Sequence, residues 1–295
     1  MNTAVLLFLI ILCLPWVQGG STMGGELHIN DIVDFHTYPL ASTDAKARRM
    51  LVDPFKTQLV QKQYCVVPGF VCPKALSLMT AEAMAGRPFA FDNNSRRNVY
   101  LQRQPDPALP EDHPRNVFSD TSTRMIAYDQ IPIRSPLKTF YHSVEVRNFI
   151  ADIVGVQALY DNEDPYQPAN YICYNKGDRS SWHFDADNSF TVTLMVQKTE
   201  QGGEFEMSPN CRTDQDQQYD RVGQFLRGEL DNSIVSVNRE PGALCIFRGC
   251  NSLHRVSPVL GSAMRIMGVF VYEREPGIIG DQEVNETIYG ERVPR

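Results

Sequence analysis

Three apolar runs rich in β-branched side chains, Phe190 to Gln197, Ala243 to Phe247 and Met264 to Tyr272, commit the second half of the chain to extended strands. Helical spacing belongs to the first half. Between Thr43 and Gln63 the residues Leu51, Phe55 and Leu59 recur every four positions and mark one helix face, with Pro54 expected to kink or split it. Pro73 to Ala85 reads as a second helix with proline near its first turn, and Ser135-Pro136 through Val154 as a third, serine capping and proline opening it. The polar, proline-rich stretch Gln102 to Pro114 reads as a loop placed to cover a pocket mouth. Asp214 to Arg227, with Val222, Phe225 and Leu226, reads as a short amphipathic insert among the strands. The pattern is α+β, with helices in front of a β-rich back. At 295 residues one core suffices, and a single domain is expected over residues 27–292.

The β half carries a set of polar residues at strand spacing. His183 and Asp185 in Trp-His-Phe-Asp project to one side of an extended chain, about 7 Å apart, with Phe184 pointing the other way. His254 follows 71 residues later, just beyond a buried strand. Two imidazoles and one carboxylate can occupy one face of an octahedral ferrous ion, leaving the opposite face to a chelating co-substrate and dioxygen. The His-x-acid pattern alone is weak. Six histidines and 35 acidic residues in 295 give about 0.7 such matches by chance. Context adds the weight, above all Arg265, a lone cation in the apolar run Met264 to Tyr272. A buried arginine needs an anion, and the distal carboxylate of a dicarboxylic co-substrate such as 2-oxoglutarate would supply one. The plainer reading makes both histidines hydrogen-bonded core residues and Asp185 a turn residue.

The stretches Asn170 to Asp185, Gly202-Gly-Glu-Phe-Glu206, Phe247 to Val259 and Tyr272 to Gly277 resemble the iron and 2-oxoglutarate dependent oxygenases related to the free amino acid hydroxylases and halogenases. The likeness runs from Asp31 to Glu291. It implies a double-stranded β-helix, or jelly-roll, core with the N-terminal helices packed on it. It also implies Fe(II) on His183, Asp185 and His254, 2-oxoglutarate on Arg265, and dioxygen as oxidant. Turnover would give succinate and carbon dioxide and place a hydroxyl on an unactivated C–H bond. Halogenating members lack the carboxylate ligand, because chloride takes its place; Asp185 therefore implies hydroxylation. Arg96 and Arg97 fit a clamp for an amino acid carboxylate, as family members have in a similar region, or a solvated surface pair. Asn170, Tyr174 and Trp182 fit a pocket wall or ordinary packing. Arg255 fits a carboxylate contact, although adjacent strand residues face opposite ways and His254 already faces the metal.

A small-molecule substrate, a free amino acid or related metabolite, is the first expectation. A hydroxylase of protein side chains in a secretory lumen is the alternative, and a non-catalytic jelly-roll that binds metal or ligand is a third. Net charge of -7 with no Lys/Arg block disfavours nucleic acid as a partner. Ala4 to Val17 is apolar and Val17 to Ser21 offers small residues, so residues 1–22 read as a signal peptide or as a non-native extension. The run is too short for a stable membrane span. A lumenal or secreted protein follows if Met1 is the true start, and a cytoplasmic one if Met23 is. Cys65, Cys72, Cys173, Cys211, Cys245 and Cys250 form no Cys-x2-Cys pair, and the sequons at Asn93 and Asn285 matter only in a secretory lumen. The sequence carries no signal for an oligomeric state.

Overall fold

A computed structural model of the chain describes residues 27–185 and 190–293. The front half runs α1 (Ala45–Lys62), β1 (Tyr64–Val67), α2 (Pro73–Gly86), β2 (Phe91–Arg97), β3 (Ser119–Ile126), α3 (Pro136–His142), α4 (Val144–Val154) and β4 (Tyr160–Asp161). The back half runs β5 (Ala169–Tyr174), β6 (Ser180–His183), β7 (Thr191–Gln197), β8 (Phe205–Ser208), α5 (Tyr219–Leu226), β9 (Val235–Ser236), β10 (Leu244–Phe247), β11 (Leu253–Val256), β12 (Arg265–Phe270), β13 (Tyr272–Glu273) and α6 (Gln282–Tyr289).

The strands form an antiparallel sheet of order β1-β10-β7-β12-β5-β3-β2 and a smaller one of order β6-β11-β8-β9, with β13 and β4 as a separate ribbon. From β5 to β12 the chain alternates between the two sheets, crossing after β5, β6, β7, β9, β10 and β11. That alternation is the double-stranded β-helix, the jelly-roll anticipated from sequence. β7 sits inside the larger sheet and is buried along Val192 to Val196, which is why it reads as a continuous apolar run. Tyr174, Phe205, Met207, Cys245, Phe247 and Val256 fill the space between the sheets. The helices cover the outer face of the larger sheet. Phe149 of α4 stacks on Phe70 at 5.5 Å, and Leu59, Met79 and Phe140 are fully buried around them. Each such side chain contributes roughly 1.5–3 kcal/mol through burial.

Two helix boundaries differ from expectation. Pro54 neither kinks nor splits α1, which is continuous from Ala45 to Lys62 behind its Asp44 cap. Pro54 lies on the solvated face, and the Met50 carbonyl that loses its partner belongs to a residue 69% exposed, so water replaces the bond. The third expected helix is two. Ser143 is extended, and its hydroxyl accepts from Val146 N–H, so it ends α3 and caps α4. The insert is as read, with α5 burying Val222 and Phe225.

The stretch from Gln102 to Pro114 is irregular. Asn98 ties it down by accepting from Tyr100 and Gln102 N–H, and His113 packs on Tyr219 at 4.6 Å. The leader at residues 1–22 lies outside the described residues, among which no helix is long and apolar enough to cross a membrane. The cysteines from Cys65 to Cys250 are free thiols. Both sequon asparagines, Asn93 and Asn285, are buried, and Asn285 donates to Asp164.

Candidate metal centre

β6 and β11 are neighbours in the smaller sheet, and their register sets His183 directly opposite His254. The rings lie 4.3 Å apart between centroids. Each imidazole is fixed by the carbonyl two residues before it: Nδ1 of His183 to Ser181 O at 2.7 Å, and Nδ1 of His254 to Ser252 O at 3.1 Å. A carbonyl can only accept, so Nδ1 carries the hydrogen in both rings and Nε2 is left with its lone pair. Both Nε2 atoms face Asp185, whose Oδ1 lies 3.7 Å from that of His183 and 3.3 Å from that of His254. One ligand atom from each of the three residues falls within 4.8 Å of the others.

Asp185 lies just past the end of β6. Its N–H donates to Gly249 O, and the Thr191 hydroxyl donates to Oδ2. Gly249 is needed there, because a Cβ would sit 1.9 Å from Asp185 Oδ2 and 3.1 Å from the His254 ring. Arg212 braces the same turn, donating to Cys250 O and stacking on Phe184 at 4.3 Å.

Burial pushes the His183 imidazole down to about 3, with His254 adding to the effect. Burial works against charge on His254 as well, but the Asp185 carboxylate outweighs it and raises His254 above its ordinary value. Desolvation works against charge on the half-buried Asp185 too, but the two histidines together hold its carboxyl below the usual range.

Arg265 opens β12 opposite Tyr174 and is 1% exposed. Its Nε donates to Gly203 O at 2.9 Å, its guanidinium lies 5.0 Å from the Tyr174 ring centre, and Nη1 and Nη2 have no partner. Burial lowers it to about 10. The Gly202-Gly203 turn makes room for it: both glycines have positive φ, and a Cβ on Gly203 would lie 2.9 Å from Arg265 Cδ. Arg265 lines a cavity of about 290 Å³ with Phe205, Gly203 and Arg239. Arg239 escaped sequence reading because its neighbours Asn238, Glu240, Pro241 and Gly242 read as a turn, yet it is 3% exposed.

The remaining candidates separate. Alternation along β2 turns Arg96 outward toward Asp120 at 3.9 Å, with 70% of its side chain exposed. Arg97 turns inward; its Nε is buried without a partner, and its charge is felt at His183. Arg255 is engaged by Glu206 at 2.5 Å and lies 4.7 Å from the Trp182 ring, on the strand face away from the metal ligands. Trp182 packs edge-on against Phe225. Asn170 donates to Gln167 O and pairs with Val269, at the far end of β5 from Tyr174.

A facial set of two histidines and an aspartate, half-buried at His183 and Asp185 and buried at His254, on a jelly-roll that also buries an arginine with unpaired Nη atoms, defines the class of the non-haem iron oxygenase fold. The family model described as halogenase D matches residues 48–288, and the chain belongs to that family. Its fold is similar to the non-haem alpha ketoglutarate dependent epimerase SnoN from nogalamycin biosynthesis (13% identity, 75% of this chain and 80% of that one, TM-score 0.52). It is also similar to AviO1 from Streptomyces viridochromogenes Tue57 (11% identity, 77% and 96%, TM-score 0.52). A third likeness is to the carbocyclase SnoK, also from nogalamycin biosynthesis (9% identity, 76% and 85%, TM-score 0.51). None of the curated proteins searched matches it significantly.

Proposed function

We propose that this chain is an Fe(II)- and 2-oxoglutarate-dependent dioxygenase that hydroxylates a C–H bond of a small anionic metabolite, with free amino acids as the first substrate class. The observation that carries the reading is the Asp185 carboxylate, 3.7 and 3.3 Å from the two imidazole Nε2 atoms. The family includes halogenases by name, but a carboxylate here fills the position that a halide would need. The residues suit the metal: both imidazoles are in the right tautomer, and Nδ1 is already committed to the backbone. They also suit the co-substrate, since the orphaned Nη atoms of Arg265 call for a carboxylate.

When bound, iron with 2-oxoglutarate and dioxygen supplies the oxidising power; the protein supplies position and dryness. Arg265 fixes the distal end of the co-substrate. Phe205 and Phe247, whose rings lie 5.8 and 5.0 Å from that of His254, pack apolar surface against that imidazole. Arg97, inward-facing and unpaired at Nε, receives the substrate carboxylate. SnoN, whose fold is similar, is an alpha ketoglutarate dependent enzyme, which supports the co-substrate assigned here.

The test is anaerobic titration of Fe(II) and 2-oxoglutarate into residues 23 to 295, followed by the weak visible charge-transfer band over a panel of free amino acids. A band that one compound shifts, with hydroxylated product and succinate in equal amounts on admitting air, is expected. Arg97→Met should keep the band and lose the shift. Chlorinated product, or no band, would overturn the reading.

A further inference from the structure

The cavity lined by Phe205, whose ring neighbours that of His254, holds two buried arginines. Arg239, in the turn between β9 and β10, is 3% exposed and lines the same 290 Å³ cavity as Arg265. Its Nη1 donates to the Thr193 hydroxyl at 3.0 Å, while Nε and Nη2 have no partner. The guanidinium lies 4.1 Å from the centre of the Phe205 ring, which itself lies 5.8 Å from that of His254. One aromatic ring therefore separates Arg239 from a metal ligand.

Two buried cations lining one cavity are unfavourable unless an anion joins them. Arg239 is close enough to Arg265 to disfavour its charge. The acids at the rim hydrogen-bond to neither guanidinium: Glu200 accepts from Ala263 N–H and Ser262, and Glu204, which accepts from the Ser257 hydroxyl, acts on Arg265 only through space. Burial raises the Cys245 thiol beside Arg239, so it stays neutral and supplies no counter-charge. Four N–H-bearing nitrogens, two on each guanidinium, are left without acceptors. A carboxylate has two oxygens and can take one from each side.

We infer that Arg239 is a second anchor for the distal carboxylate of the co-substrate, held between two guanidiniums and not by Arg265 alone. The inference rests on the co-substrate reading above and adds a residue that a single-arginine site does not need. The chain should therefore discriminate strongly against 2-oxo acids that lack a distal carboxylate, since such a ligand leaves both cations buried and unpaired.

The experiment uses Mn(II)-loaded protein and calorimetric titration with 2-oxoglutarate and with 2-oxopentanoate, which has the same chain length but no distal carboxylate. Wild type is compared with Arg239→Met, Arg239→Lys and Arg265→Met, each checked for folding by circular dichroism. Arg239→Met should shrink the preference for 2-oxoglutarate by about tenfold or more, leaving 2-oxopentanoate within about twofold of its wild-type affinity. Arg239→Lys, which keeps the charge without the planar fork, should recover part of the loss and carries the test if the methionine variant does not fold. An unchanged preference in folded Arg239 variants, with loss in Arg265→Met, would overturn the second anchor and leave the co-substrate reading standing. Equal weakening of both ligands would assign Arg239 to packing and overturn it too. A wild type that binds both ligands alike would overturn both readings.

Discussion

His183 and His254 face each other in direct register across β6 and β11, and each holds its Nδ1 hydrogen against the carbonyl two residues earlier in its own strand. The metal-facing nitrogens are thereby set before any metal arrives, and several consequences can be measured.

Asp185→Gly removes the one carboxylate that the cluster has among the described residues. Hydroxylation should be abolished, read as loss of both succinate and hydroxylated product. Retention of full activity would sink the site assignment.

Arg265→Ala leaves a buried carboxylate without its main partner. The concentration of 2-oxoglutarate needed for half-maximal rate should rise roughly 100-fold, corresponding to about 3 kcal/mol for a charge-assisted pair. The folding midpoint without ligand should fall little or rise, because the variant no longer buries an unpaired cation.

Metal affinity should fall with acidification. The metal-free His254 is raised above its ordinary 6.5 by Asp185, so it is protonated below that raised value and must lose a proton to bind metal. Affinity is full above the raised value and declines by about tenfold per pH unit below it, one proton being released per ion. His183, held near 3, adds nothing until much lower pH. Mn(II) titrations at a series of pH values check the slope, and two slopes in the neutral range would contradict it.

Gly249→Ala places a methyl 1.9 Å from Asp185 Oδ2, and the carboxylate must move. Metal affinity should drop by about tenfold or more while circular dichroism stays native. Equilibrium dialysis with Co(II) reads the first, and an unaffected affinity would show that Asp185 tolerates displacement.

Ser143→Ala removes the hydroxyl that accepts from Val146 N–H. Urea unfolding should report a loss of about 1 kcal/mol, with the metal centre unchanged.

The strand residues of the site were legible because strand alternation is a local rule: it puts His183 and Asp185 on one side, and an arginine inside an apolar run is conspicuous on its own. Alternation also guarantees that Arg96 and Arg97 part ways, but only the neighbouring strand, β3, decides which of them is outside. Arg239 was illegible for a different reason. Its burial is imposed by Phe205 and Thr193, 34 and 46 positions away, while its immediate neighbours spell a turn. Gly249 matters only through the atoms of Asp185 and His254, which no local pattern brings next to it. Ser143 was a boundary masked by apolar spacing that suits one long helix as well as two.

The backbone anchoring of the two imidazoles has a consequence for how such a chain can change. The groups that orient the rings are main-chain carbonyls, and almost any substitution at positions 181 and 252 leaves them in place. Side chains around the substrate are thus released from the task of holding the ligands. Neighbouring side chains can be exchanged without retuning the ion, and the same centre can be fitted to different surroundings in small steps.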